Sequence, residues 1–363
     1  MIPLFQVFMA PSVHENVKKV LYSGYVGQGP VVDRFEEKLS KFLETPYVIS
    51  LNSGTSALHL ALRLVGVGPG DEIISTPMTC AATNWPILAA GATIRWADID
   101  PETGNIDPES IKKKLTKKTR AVIAVDWGGY PADINAIKNA AGPIPVIEDA
   151  AHAFGSVYKN KMVGTSADYT CFSFQAIKHL TCVDGGALVV AERKKFDRAK
   201  LLRWYGIDRQ KKTGDLRIEI DVRDFGYKYH MNDVNAAIGL ENLKHTALLI
   251  SKHRHNAGIY RKAFNNHPDV NLLREDPGYF SSYWLFSMRV NNRRKFFSHM
   301  KLNGIMVSRV HRRNDTHPVV SGFRTNLPGV DDFYAHLACI PVGWWLTKSE
   351  RDSIINAVRS YAA

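Results

Sequence analysis

At 363 residues the chain exceeds one ordinary domain and can bury a large core. No apolar run approaches the roughly 18–20 residues of a membrane span, and the N-terminus MIPLFQVFMAPSVHENV lacks a basic segment leading into an apolar core, so a soluble cytoplasmic protein is expected rather than a membrane or secreted one. The formal net charge of +12 is the one oddity, yet Lys and Arg are spread among acidic residues and the densest clusters (112–118, 193–200, 309–313) are brief; an anionic small molecule would benefit from it as much as nucleic acid.

In chain order, residues 1–47 read as a lead-in with a Gly-rich loop at 23–30. Val32, Phe35, Leu39 and Phe42 then fall at helical spacing. A strand at 47–51 runs into Asn52-Ser53-Gly54-Thr55-Ser56-Ala57-Leu58 and a helical pattern over 57–65. Backbone amides at a helix start, with the Thr55 and Ser56 hydroxyls, make an anion cradle suited to a phosphate. Further strands at 72–75, 93–97, 121–125, 146–148, 170–174 and 187–190 alternate with helical patterns, which implies a mostly parallel sheet with helices on both faces. Pro131-Ala132-Asp133 opens one of those helices, with Asp133 as its cap.

Two strand ends carry chemistry. PVIEDAAHA (145–153) is an apolar strand ending in Glu148-Asp149, with His152 three residues on; an acid at the carboxyl end of a parallel strand points into the crevice where open α/β sheets bind ligands, and a buried carboxylate there needs a cation. DYTCFSFQAIKHLTCVDGGALVV (168–190) places Lys178 in a bend between two apolar runs. Such a lysine is ordinarily on the surface. Held between packed strands it would instead lose solvation, which lowers an ammonium pKa towards the range where the amine attacks a carbonyl. Phosphate cradle, carboxylate and lysine together describe a site for pyridoxal 5′-phosphate (PLP).

Residues 201–225 read as a long excursion with 211–215 its least structured part, and a helix starts at Asp233. After about Asn242 the character changes to a smaller α+β domain, with strand residues at 283–290 and helices at 294–303 and 348–362. Arg309, His311, Arg312, Arg313 and His317 form its one dense cationic stretch, readable as a diphosphate or sugar contact or as solvated surface. Trp344-Trp345 reads as core or interface packing. The four cysteines (Cys80, Cys171, Cys182, Cys339) have no paired spacing, so free thiols are expected rather than disulfides or a metal site.

NSGTSALHLAL, VIEDAAHAFGS and SFQAIKHLTCVDGGALVV in that order, with GDEIISTPMT, GYPAD, GYKYHMNDVNAAIGL and IPVGWWLTKSE, resemble the DegT/DnrJ/EryC1/StrS aminotransferases of nucleotide-linked keto sugars, over nearly the whole chain. The resemblance implies an α/β fold-type I PLP-dependent transferase with a large domain at 1–241 and a small one at 242–363. It makes Lys178 the Schiff-base lysine and proton carrier, and Asp149 the partner of the pyridinium nitrogen. His152 becomes a cofactor contact, although a lone histidine on an apolar stretch is otherwise a satisfied core residue. Ser173, with Gly54, Thr55 and Ser56, would hold the cofactor phosphate. It also implies L-glutamate as amino donor, cycling through pyridoxamine 5′-phosphate (PMP), deoxyamino sugar biosynthesis, and a homodimer with shared sites and no nucleic-acid or membrane partner. Arg309, His311 and His317 would face the substrate.

Three positions depart from the family pattern. Lys228 stands where the family has an asparagine that reaches the other subunit's cofactor phosphate; a lysine can still bind phosphate as a point charge. Cys80 follows Pro77-Met78-Thr79 where an aromatic usually packs on the ring, with Trp85 a candidate substitute. Val183-Asp184-Gly185-Gly186 replaces Gly-Glu-Gly-Gly. Two rival readings remain: a PMP-dependent dehydratase, whose kind has histidine at the lysine position (His179 is adjacent), and a regulatory or nucleic-acid-binding protein on the same scaffold.

Overall fold

The computed structural model describes residues 1–209 and 221–363; residues 211–215 of the expected excursion lie outside the described residues. After two helices, α1 (Val13–Leu21) and α2 (Pro30–Phe42), the chain alternates β1 (Val48–Leu51), α3 (Gly54–Val65), β2 (Glu72–Ser75), α4 (Ala81–Ala89), β3 (Thr93–Trp96), α5 (Pro108–Lys114), β4 (Thr119–Val125), α6 (Ile134–Ala141) and β5 (Val146–Asp149). A small pair, β6 (Val157–Tyr158) and β7 (Lys161–Met162), precedes β8 (Tyr169–Ser173), β9 (Gly186–Val190) and α7 (Arg193–Leu202).

Seven strands form one sheet in the order β1-β9-β8-β5-β4-β2-β3. It is parallel except for β9, which runs antiparallel to both β1 and β8. The strands are short continuous apolar runs because both faces are covered. Alternate residues go to opposite cores: Ile74, Val122 and Ala124 pack with Val32, Phe35 and Leu39 of α2 and Ile134 and Ile137 of α6, while Ile73, Ile123 and Ile147 pack with Leu58, Leu62 and Ile87 of α3 and α4. Asp133 caps α6 as its sequence suggests, accepting from the Ala136 amide at 3.0 Å. The Gly-rich loop at 23–30 ends on a second cap: buried Asp233 accepts from the amides of Gly29, Val31 and Val32 at the start of α2.

The 32-residue helix α8 (Asp233–Phe264) leads into the smaller lobe. The change of character near Asn242 falls inside this helix: its first turns pack on the sheet core through Val234, Ala236 and Ala237, its last through Ala257, Tyr260 and Phe264 on a third core. That core lies between β10 (Val270–Leu272), β12 (Phe286–Val290) and β13 (Leu337–Ile340), an antiparallel sheet, and the helices α9 (Arg293–Leu302) and α11 (Lys348–Arg359). β11 (Tyr279–Phe280) joins β6 and β7 in a third small sheet, and α10 (Pro328–His336) packs on the large lobe through Val330 and Phe333. No helix among the described residues is long and apolar enough to cross a membrane.

Candidate active site

Register fixes the site. Val125 is opposite Asp149 and Asp149 opposite Cys171, so β4 and β5 end together, β8 runs two residues further to Ser173, and the residues at and after these ends converge on one cavity of about 470 Å³. Its wall includes Thr55, Asp149, His152, Ser173, Lys178 and His311.

Asp149 is 4% exposed. Its Oδ2 accepts from the Thr83 hydroxyl at 2.6 Å and its Oδ1 from the Ala151 amide at 3.1 Å. Burial pushes its pKa up, against those two hydrogen bonds and the nearby Lys178. Lys178 projects from the turn after β8, and no hydrogen bond or ion pair holds its Nζ among the described residues; it lies 3.7 Å from the centroid of the Trp284 ring. Loss of water lowers its pKa from 10.5 to about 8, although Asp149 and Cys80 pull the other way.

The phosphate cradle is the turn from β1 into α3. Ser53 caps the helix by accepting from the Ser56 amide at 3.0 Å, and the first helical bond is that of Ala57 to the Ser53 carbonyl, so the Gly54 and Thr55 amides precede it. Close packing dictates glycine twice here: a Cβ on Gly54 would come within 3.0 Å of Ser173 Cβ, and one on Gly186 within 2.5 Å of the Gly54 nitrogen. Ser53, Gly54, Thr55 and Ser173 line the cavity, whereas Ser56 turns away and its hydroxyl accepts from that of Ser53 at 2.9 Å.

His152 lies in the wall, its ring stacked on Trp284 at 4.0 Å and near-parallel to His311 at 5.4 Å. Its Nδ1 accepts from the Gly128 amide at 3.4 Å, which by the hydrogen-bond network puts the proton of the neutral ring on Nε2, facing His311 Nε2 at 3.4 Å. Burial and the Lys178 charge push His152 well below the ordinary histidine value and His311 to about 4.

The other expected site residues are placed elsewhere. Arg309 packs over Tyr334 at 4.3 Å and His317 edge-on against Trp85 at 5.5 Å, both outside the cavity wall. Trp85 therefore does not take the ring-stacking place; Cys80 stays in the wall and Trp284 is the indole that faces the lysine. Lys228 is exposed and does not line its own chain's cavity, although its carbonyl accepts from Asn52 Nδ2 at 3.2 Å. His179 is buried against His253 at 4.6 Å and does not line the cavity. Sequence reasoning missed Thr83, Trp284, Phe5 and Ser53. Of these only Ser53 had a local signal, as the small polar residue three before Ser56.

The Val183 turn closes the lysine loop. Val183 has φ +71°, a conformation that crowds a β-branched side chain and that glycine would adopt freely. Asn235 holds it there, its Nδ2 donating to the Cys182 carbonyl at 2.8 Å and the Asp184 carbonyl at 2.7 Å.

A doubly covered, mostly parallel sheet with a lysine, a buried carboxylate and a helix-start cradle at one end of its strands is the architecture of fold-type I PLP-dependent transferases. The model of the DegT/DnrJ/EryC1/StrS aminotransferase family matches residues 9–359, and the chain belongs to that family. The spore coat polysaccharide biosynthesis protein SpsC of Bacillus subtilis is 31% identical over 95% of this chain and 93% of its own length. Among solved structures, the sugar aminotransferase CalS13 from Micromonospora echinospora is 38% identical, covers 100% of both chains and superposes with a TM-score of 0.95. The putative sugar aminotransferase Spr1654 from Streptococcus pneumoniae, solved in its PLP form, is 26% identical, with a TM-score of 0.91 over 99% of this chain and 98% of its own.

Proposed function

We propose that this protein is a PLP-dependent aminotransferase that converts a keto group of a nucleotide-linked deoxysugar to an amine, with L-glutamate as donor and PMP as the halfway form. The observation that carries the reading is the convergence of the desolvated Lys178 amine, the buried Asp149 carboxylate and the α3 start on one cavity. The residues fit the cofactor: the Gly54 and Thr55 amides with Ser173 would hold its phosphate and Asp149 its ring nitrogen, and His152 lies in the same wall.

When bound, PLP supplies an aldehyde that takes up an amino group and a ring that spreads the charge left when a carbon-bound proton departs. This chain's own groups manage protons and water. Lys178 Nζ is the one amine on the wall among the described residues; with a pKa of about 8 a sizeable fraction is neutral near pH 7–8, ready to take the proton from the substrate carbon and return it. Asp149, fixed by Thr83 and Ala151, would hold the ring nitrogen of the bound cofactor in its protonated form. His152 and His311, both neutral, can hydrogen-bond without adding positive charge.

The dehydratase reading is disfavoured by Lys178 itself and by His179, which turns to His253 and away from the cavity. The exposed Lys228 supports a homodimer in which it reaches the other subunit's cavity. The cytoplasm suits free thiols, and all four cysteines are free. Borohydride reduction of the purified protein followed by digestion tests the assignment: a pyridoxyl label is expected on the peptide containing residue 178, and its absence there would sink it. Turnover of keto-sugar nucleotides with labelled glutamate then identifies the substrate.

A further inference from the structure

Trp284 is 3% exposed and reaches the site from the turn that precedes β12. That turn is riveted to the large lobe: the Ser282 hydroxyl donates to the His152 carbonyl at 3.1 Å, the Ser282 amide to the Ser156 hydroxyl at 2.9 Å, and the Leu285 amide to the Gly128 carbonyl at 3.0 Å. From behind, Phe5 stacks on the indole at 5.0 Å. Three contacts then run from this one side chain to the reacting centre. Its Nε1 donates to the Ile177 carbonyl at 2.9 Å, its ring lies 3.7 Å from Lys178 Nζ, and the same indole stacks on His152.

We propose that Trp284 is a positioning residue for Lys178: its indole N–H fixes the carbonyl that precedes the lysine, and its ring walls water away from the amine. The inference rests on Lys178 being the reacting amine. A ring under an ammonium favours the charged form, as does a nearby carboxylate. Both are present, yet the amine is shifted towards its neutral form, so exclusion of water outweighs them. Replacing the indole by a smaller side chain opens space beside a cavity with polar walls, where water enters. Water then restores the charged form. The titratable groups that face Nζ in the cavity wall are Asp149, Cys80, His152 and His311, and His179, turned to His253, adds only a through-space influence. The three histidines are neutral above pH 7, being held below their ordinary value, and all five groups are unchanged in every variant of the test.

The test needs no bound cofactor. The full chain freed of cofactor is pulsed with an amine-acylating reagent from pH 6 to 11, and modification of the residue-178 peptide is read by mass. The wild type should show a half-point near pH 8. Trp284→Leu should move it up by about one unit, lowering modification at pH 8 about five-fold. Trp284→Phe, which keeps a ring and loses the N–H, should move it less but in the same direction, and it decides the matter if the leucine variant does not fold. Trp85→Phe, altering an indole outside the cavity, should leave it unchanged. A half-point that is unmoved or lower in both Trp284 variants, or equally raised in Trp85→Phe, overturns the proposal. Because borohydride trapping uses the cofactor and acylation does not, failure of the assignment of Lys178 and failure of the role of Trp284 are separately visible.

Discussion

The two faces of the sheet at the end of β5 treat neighbouring carboxylates in opposite ways. Asp149 points into the open cavity, where a hydroxyl, an amide and the lysine surround it. Glu148, one residue earlier and therefore on the other face, is closed inside the protein with Asp126: Glu148 Oε2 accepts from Thr170 at 2.8 Å, Asp126 Oδ1 from the Ala132 amide at 2.8 Å, and Asp126 Oδ2 has no hydrogen-bond partner among the described residues. Burial pushes both of these acids up, with Asp126 further repelled by Glu148 and Asp149, and Glu148 by Asp149. One face thus offers a carboxylate to a ligand cation, and the other stores protons. The difference teaches that an acidic pair at a strand end divides by pleat into a chemical member and a structural one.

Substitutions on the cavity face should cost turnover and spare the fold. Lys178→Ala should lower transamination by on the order of 10⁴-fold, with a melting curve close to wild type. Asp149→Asn should lower it by about 10²–10³-fold; activity near wild type would mean the ring nitrogen is held some other way. A milder probe is Thr83→Val, which removes the donor to Asp149 Oδ2 at nearly constant volume and should cost about tenfold in turnover.

The closed face should behave in reverse. Glu148 titrates higher in the folded than in the unfolded chain, so the folded state holds a proton that the unfolded state releases; its contribution is full below about pH 4.5 and is lost as pH rises through the folded value. Glu148→Gln should flatten that decline and raise stability at neutral pH by on the order of 1–3 kcal/mol, with turnover little changed. Denaturant melts across pH 4–8 measure it, and an unchanged slope would show that another group sets it. The smallest effect is expected at Val183→Gly. Relief of the left-handed strain, about 1–2 kcal/mol, is partly offset by the entropy of glycine, leaving a net gain of roughly 0.5 kcal/mol in the same melts.

The cavity face was largely legible in the sequence because its groups follow strands and helix starts, and such places advertise themselves through short motifs. Lys178, Asp149, His152, Gly54, Thr55 and Ser173 all line one cavity. The residue type of Ser56 suggests a ligand donor, but its spacing from Ser53 equally describes an internal cap, which is what it makes. Trp284 had no such signal: it lies 106 positions beyond Lys178, in a turn whose sequence reads as the lead into a strand. Only the packing of the smaller lobe against the larger one brings it under the amine, and the nearer Trp85 drew the expectation instead. Arg309 and His317 carried chemistry by type, but their neighbours Tyr334 and Trp85 absorb them.

The helix α8 runs about 48 Å through both lobes at 1.5 Å per residue, with one end in each core. The lobes therefore share a single unbroken strut, and severing the polypeptide near residue 242 would strip both halves of a packed surface at once. Proteolysis should accordingly nick the outer loops before it releases either half as a folded fragment.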